Sequence, residues 1–172
     1  MQRVMIIGQP GSGKSTLARE LGDITGLPVV HIDKIHHKPG WVERSQEEKT
    51  RLCREVHARP TWIFEGGHSR TWRERAERCD TLIWLNLPLW LRMWRVNWRS
   101  IRYFGRTRPD MQENCPERIS WEFIRWVWDT RHSGREKMQY LVDHMPTDKT
   151  VIVLESKHEI ARFLEAKRTQ FE

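Results

Sequence analysis

Apolar residues recur along this chain in two rhythms. Short, mainly apolar runs at residues 3–7, 29–32, 62–64, 81–87 and 151–154 read as buried strands. Between them the apolar positions take a helical spacing. Leu17, Leu21 and Ile24 mark a helix over 14–25, and Leu52, Cys53 and Val56 mark one ending near His57. Ser45 and Glu48 form a capping box at the start of that second helix, and Pro60 closes it. A short charged helix follows at 71–78. Four more are predicted at 89–104, 117–131, 136–144 and 158–166. Lys38, Pro39 and Gly40 predict a turn, and 105–116 a loop. Strands alternating with helices imply parallel βαβ units, hence an α/β fold whose sheet is covered on both faces. Such sheets bind ligands beyond the carboxyl ends of their strands, where Gly8, Asp33, Glu65 and Asn86 fall.

The 89–104 helix has the sharpest pattern. At about 100° per residue, Trp90, Trp94, Trp98 and Ile101 share one face and Arg92, Arg95, Arg99 and Arg102 the opposite one. An ordinary amphipathic helix would put the tryptophans in the core and the arginines in water. The choice of arginine over lysine or glutamate adds something, because its planar fork suits phosphate oxygens. Further arginines at 106, 108, 125, 131 and 135 surround the next helix, and Asp110 falls in the intervening loop with no role assigned.

Composition narrows the class. The 172 residues are 38% hydrophobic and 31% charged, a globular balance with room for a core. No basic segment leads into a long apolar one, and no run approaches the ~20 residues of a membrane span, so a cytoplasmic protein without a membrane partner is expected. Cys53, Cys79 and Cys115 are widely spaced and odd in number, which fits reduced thiols. The net charge of +7 favours polyanionic partners without choosing among nucleotide, nucleic acid and membrane. His31, His36 and His37 invite a metal reading, yet no cysteine stands near, and they are assigned to a turn and the acceptor-side surface.

The strongest chemistry lies at Gly8 to Ser15, GQPGSGKS, which fits G-x-x-x-x-G-K-[ST] after a strand and before a helix. Gly8, Gly11 and Gly13 let the backbone approach a polyphosphate, and successive N–H groups, including those of Ser12 and Thr16, would form an anion nest at a helix N-terminus. Lys14 should reach the β- and γ-phosphates and the Ser15 hydroxyl should bind Mg²⁺. ATP is the expected nucleotide; no guanine-selecting N-K-x-D segment accompanies the loop.

With this loop and length, the chain resembles the small P-loop kinases that include adenylate kinase and shikimate kinase. It is similar in particular to bacterial proteins called DNA topology modulation proteins, through HIDKIHHKPGW, WIFEGGHSRTW, DTLIWLNLP and GRTRPDMQENCPERISWEFIRWVW. The resemblance implies a P-loop NTPase three-layer sandwich: a five-stranded parallel sheet, order 2-3-1-4-5, with a helical lid after strand four. One domain would span 1–172, with the lid at about 89–135. It implies a catalytic role for Asp33 at the acceptor hydroxyl. Glu65 would hold Mg²⁺ through water or orient the nucleophile, and Arg95 and Arg99 would close on the moving phosphoryl group. Arg70 is implied on an acceptor phosphate; a solvated arginine is its plain alternative. Gly66 and Gly67 would let an acceptor near the backbone, and Trp41 would cover it.

Two functions from different classes remain at this level. One is transfer of the γ-phosphoryl of Mg-ATP to a small acceptor such as a nucleoside, nucleotide or related metabolite. The other is a nucleotide-dependent DNA-binding protein, favoured by the charge and the arginine stripe, although no helix-turn-helix, zinc finger or RNA-binding motif is present.

Overall fold

The computed structural model describes residues 1–117 and 120–171. Its sheet strands are β1 (Arg3–Gly8), β2 (Val29–His31), β5 (Trp62–Glu65), β6 (Thr81–Leu85) and β7 (Thr150–Leu154). They run parallel in the order β2-β5-β1-β6-β7. Counting these strands alone, that is the expected 2-3-1-4-5. A two-stranded hairpin, β3 (His37–Lys38) with β4 (Val42–Glu43), occupies the predicted turn at Pro39 and Gly40.

Alternation along β1 explains the layers. Val4 and Ile6 pack on one face with Leu17 and Leu21 of α1 (Lys14–Thr25) and Leu164 of α8 (Lys157–Phe171). Met5 and Ile7 pack on the other face. There they join Ile32 and Ile35 of α2 (Ile32–His36), Cys53 and Val56 of α3 (Gln46–His57), Ala76 of α4 (Trp72–Arg78) and Met138 of α7 (Arg131–Asp143). Burying both faces of β1 is why its sequence is an unbroken apolar run. Ser45 caps α3, its hydroxyl accepting from the Glu48 N–H at 3.2 Å, as its spacing predicts. All three cysteines are buried with free thiols. Among the described residues no helix is long and apolar enough to cross a membrane.

Three expectations change. Strand β2 stops at His31, so Asp33 lies in the first turn of α2. The helix expected over 117–131 is α6 (Trp121–Asp129), capped by the Ser120 hydroxyl; residues 118 and 119 of that expectation lie outside the described residues.

The largest change concerns α5 (Leu89–Arg102). Its tryptophan face is not core: Trp90, Trp94, Trp98 and Ile101 are all exposed, and Leu91, Arg92, Val96 and Ser100 are buried instead. The cause is placement. Helix α5 lies with its backbone against the glycine loop, so the arginine side turns inward and no layer covers the indoles.

Candidate active site

Strand β1 ends at Gly8, and the loop that follows folds back before α1. Gly13 caps α1 with φ 95°, and Gly11 holds φ 78°. A Cβ on Gly11 would lie 2.4 Å from the Arg92 carbonyl oxygen, so α5 seats on the loop only because no side chain is there. The Arg95 guanidinium donates to the Ser12 carbonyl at 3.1 Å. On the far side the Gln9 side chain donates to the carbonyls of Thr130 and Arg131, joining the loop to the start of α7. The Ser12 hydroxyl is buried without a partner. Among the described residues Lys14 Nζ reaches only the Gln9 carbonyl, at 3.2 Å. Burial pushes its pKa down, and Arg99 and Arg92 push the same way against Glu65 and Asp33. A desolvated ammonium, an orphaned hydroxyl and a side-chain-free loop at a helix N-terminus fit a polyphosphate.

Beside the cradle, β5 ends at Glu65. Its register partner on β2 is His31. The neighbours meet through their side chains: His31 Nδ1 lies 2.8 Å from Glu65 Oε1. Ser15 Oγ donates to that same oxygen at 3.1 Å. Glu65 Oε1 thus meets two polar partners at once, the Ser15 hydroxyl and the His31 ring. Ser15 and Glu65 are the oxygen donors that fit Mg²⁺, an ion held by few protein groups and much water. Among the described residues no cluster of three or more His, Cys, Asp or Glu is placed to hold a metal by itself.

Gly66 follows with φ 99°, and a Cβ there would meet Ile32 Cγ2 at 2.1 Å. Its carbonyl accepts from the fully buried Arg75 at 2.7 Å, whose guanidinium lies 3.9 Å from the Phe64 ring centre.

Asp33 faces this centre from α2. Although 42% of its side-chain surface is open to the cleft, burial and then Glu65 raise its pKa, and Arg108 opposes them. Arg108 Nη2 lies 4.0 Å from Asp33 Oδ2. That arginine comes from the loop after α5 and is itself held: Nη1 donates to Asp110 at 3.1 Å and Nε lies 2.9 Å from Glu117. Arg99 Nε stands 3.3 Å from the other Glu117 oxygen. Neither Nε–H points along its contact with Glu117, so these two are charge contacts rather than hydrogen bonds. Burial pushes the Asp110 carboxyl up, but the Arg108 charge above all outweighs it and holds the carboxyl below its ordinary pKa.

Together these groups line one cleft of about 1430 Å³. It takes in Gly8 to Thr16, Asp33, Trp41, Glu65, Gly66, Arg95, Arg99, Arg108, Asp110 and Glu117. That volume exceeds the ~300–1,000 Å³ of an ordinary single-ligand pocket. Arg70 stands apart: it is exposed and lines a separate shallow groove along α3 with Glu47 and Arg54. The 3-10 turn at Ser69–Thr71 turns it outward. Asn86 is likewise spent outside, on Glu155 at 2.8 Å.

The sequence pattern missed four groups. His31 was assigned to a turn but is buried against Glu65. Arg108, Asp110 and Glu117 sit in a loop whose path across the cleft has no periodic signal. A histidine ending a buried strand was the available clue to the first.

Sequence comparison gives no match among protein-family models or curated proteins. Comparison of structures does. The chain is similar to shikimate kinase from Acinetobacter baumannii in complex with shikimate, with TM-score 0.58 and 17% identity over 99% of this chain and 92% of that one. It is also similar to shikimate kinase from Bacteroides thetaiotaomicron, with TM-score 0.59 and 14% identity over 98% of this chain and 97% of that one. At such identities the likeness is one of fold: the chain has the P-loop architecture of shikimate kinases.

Proposed function

We propose that this protein is a phosphotransferase that moves the γ-phosphoryl group of Mg-ATP to the hydroxyl of a small acceptor. One observation carries the reading: the G-x-x-x-x-G-K-[ST] loop, with its desolvated Lys14, opens into the same cleft as the carboxylates of Asp33 and Glu65. The fold shared with shikimate kinases supports it, as does a cleft large enough for two substrates.

In this mechanism the loop backbone, Lys14 and the Ser15 hydroxyl hold the nucleotide. The bound Mg²⁺, on Ser15 and Glu65, would neutralise phosphate charge. His31 holds the Glu65 carboxyl in place. Asp33 orients the acceptor hydroxyl and takes its proton as the hydroxyl oxygen attacks the γ-phosphorus. The bond from that phosphorus to the bridging oxygen breaks, and its electron pair leaves with ADP. Lys14, Arg95 and Arg99 stabilise the charge on the phosphoryl group in flight. Residues 89–135 act as the lid of a single-domain enzyme, excluding water so that the phosphoryl group goes to the acceptor.

The inward turn of Arg92, Arg95 and Arg99 favours this reading over DNA binding, since those arginines are not a free basic face. The test is ADP formation from Mg-ATP with nucleosides, nucleoside monophosphates, sugars and other small alcohols, run beside Lys14→Ala. Acceptor-stimulated ADP that disappears in the variant is the expected result. Tight ATP binding without acceptor-stimulated ADP, together with DNA affinity that falls steeply between about 50 and 200 mM salt, would favour the DNA-binding reading.

A further inference from the structure

The acceptor half of the cleft has an unusual charge balance. Asp33, Glu65 and Asp110 all line it. Among the described residues Arg108 is the one cation within ion-pair distance of Asp33, and Asp110 and Glu117 already hold it. Arg70, implied by its sequence position for an acceptor anion, stands in a different groove. Lys14, Arg95 and Arg99 stand over the phosphate loop or against Glu117. Arg19, Arg102 and Lys137 also line the cleft, but among the described residues none of them lies within ion-pair distance of Asp33. A second anion entering beside Asp33 would therefore meet that carboxylate with its one nearby cation already held, an arrangement that selects against charge.

What the walls offer instead is rings and neutral hydrogen-bonding groups. Trp41 holds a left-handed backbone, φ 63°, which is costly for a bulky residue. It is pinned there: its N–H lies 3.2 Å from Cys115 Sγ, and its indole N–H donates to the Pro116 carbonyl at 3.1 Å. The His37 ring stands edge-on to the indole with centres 5.2 Å apart. His36 Nε2 and His37 Nδ1 are buried without a partner, and both residues line the cleft. Burial and the nearby Lys49 push His36 down to about 4, so its imidazole is neutral at physiological pH and either donates or accepts.

Building on the phosphotransferase reading, we propose that the acceptor is an uncharged, ring-bearing hydroxyl compound. Its flat face lies against Trp41, its polar edge meets His36 and His37, and the hydroxyl to be phosphorylated reaches Asp33. A sugar-like ring and a nucleoside share this chemistry. Phosphorylated or carboxylated versions of either are rejected by Asp33, whose nearest cation, Arg108, is already held by Asp110 and Glu117.

The experiment uses matched pairs that differ only in charge: adenosine with AMP, thymidine with TMP, methyl shikimate with shikimate, and glucose with gluconate. Binding is measured by calorimetry with a non-hydrolysable ATP analogue and Mg²⁺ present, and ADP formation is measured separately with Mg-ATP. In at least one pair the neutral member should bind more tightly by about ten-fold or more. Which pair responds separates nucleoside from sugar-like ring. Asp110→Asn, which releases Arg108, should narrow that ratio by improving the charged member. Trp41→Ala should weaken the neutral member, and Trp41→Phe should restore part of the loss.

Tighter binding by the charged member, or no binding by any neutral member, overturns the proposal. Neutral-selective binding without ADP formation would uphold the acceptor class and overturn phosphoryl transfer, so the two failures are distinguishable.

Discussion

Asp33 illustrates how a functional residue works against the fold that carries it. Burial and Glu65 raise its pKa, so ionised Asp33 destabilises the folded chain. For an acid with a raised folded pKa, the stability contribution is present below the ordinary value and lost as pH rises through the folded one. Asp33→Asn should therefore raise the melting temperature of the ligand-free protein at neutral pH. It should also cut turnover by about 10²-fold or more. Calorimetry and steady-state kinetics on one preparation check both, and a lowered melting temperature would contradict the electrostatic account.

Histidines act in the opposite sense. His36 and His57 are pushed down to about 4, mainly by burial. An unfolded histidine binds its proton near pH 6.5, so stability should fall as pH drops from 6.5 toward 4. His57, with both ring nitrogens buried and unpartnered, dominates that loss on geometric grounds. In His57→Phe, urea melts across that window should show a shallower dependence on pH.

At this scale the loop glycines, Lys14 and Ser15 were readable because a phosphate cradle demands those residue types at one spacing. His31 was not, because its pairing with Glu65 needs two strands brought into register from 34 positions apart.

Helix α5 shows what periodicity can and cannot reveal. The spacing separated an indole face from an arginine face correctly. It could not say which face meets protein, because burial normally follows the apolar side. Here the arginines turn inward to the cleft and the loop glycines, so the rule reverses. The reversal is testable by stability alone. Trp98→Ser should shift unfolding free energy by only about 0.5 kcal/mol, as an exposed substitution does. Trp62→Ala, in the core, should cost about 3–5 kcal/mol. Equal costs would mean that α5 is packed the other way.

Gly11→Ala probes the opposite side of the same contact. Its Cβ would press on the Arg92 carbonyl at φ 78°, so the variant should lose about 1–3 kcal/mol of stability from strain and bind ATP less tightly. Thermal melts with and without Mg-ATP separate the two effects.

For the molecule as a whole, the architecture was legible because a sheet covered on both faces writes itself as apolar runs alternating with amphipathic helices. The strand order came from resemblance, and pairing confirms it. The segment after β6 was least legible. Arg99, Arg108, Asp110 and Glu117 meet through a loop whose course depends on tertiary contact, with isolated bridges from Phe104 to Glu117 and Thr107 to Pro116. That network ties the proposed lid to the cleft beside Asp33. Arg99→Gln should therefore lower the transfer rate more than it weakens ATP binding, as rapid-quench kinetics beside equilibrium titration would show.

The account rests on where the γ-phosphoryl group goes. Phosphorus NMR of the wild-type protein with Mg-ATP and a neutral ring alcohol reads that directly. A new phosphate monoester resonance growing in step with ADP, and absent in Lys14→Ala, is the predicted result. ADP accompanied only by inorganic phosphate, for every acceptor that binds, would contradict it.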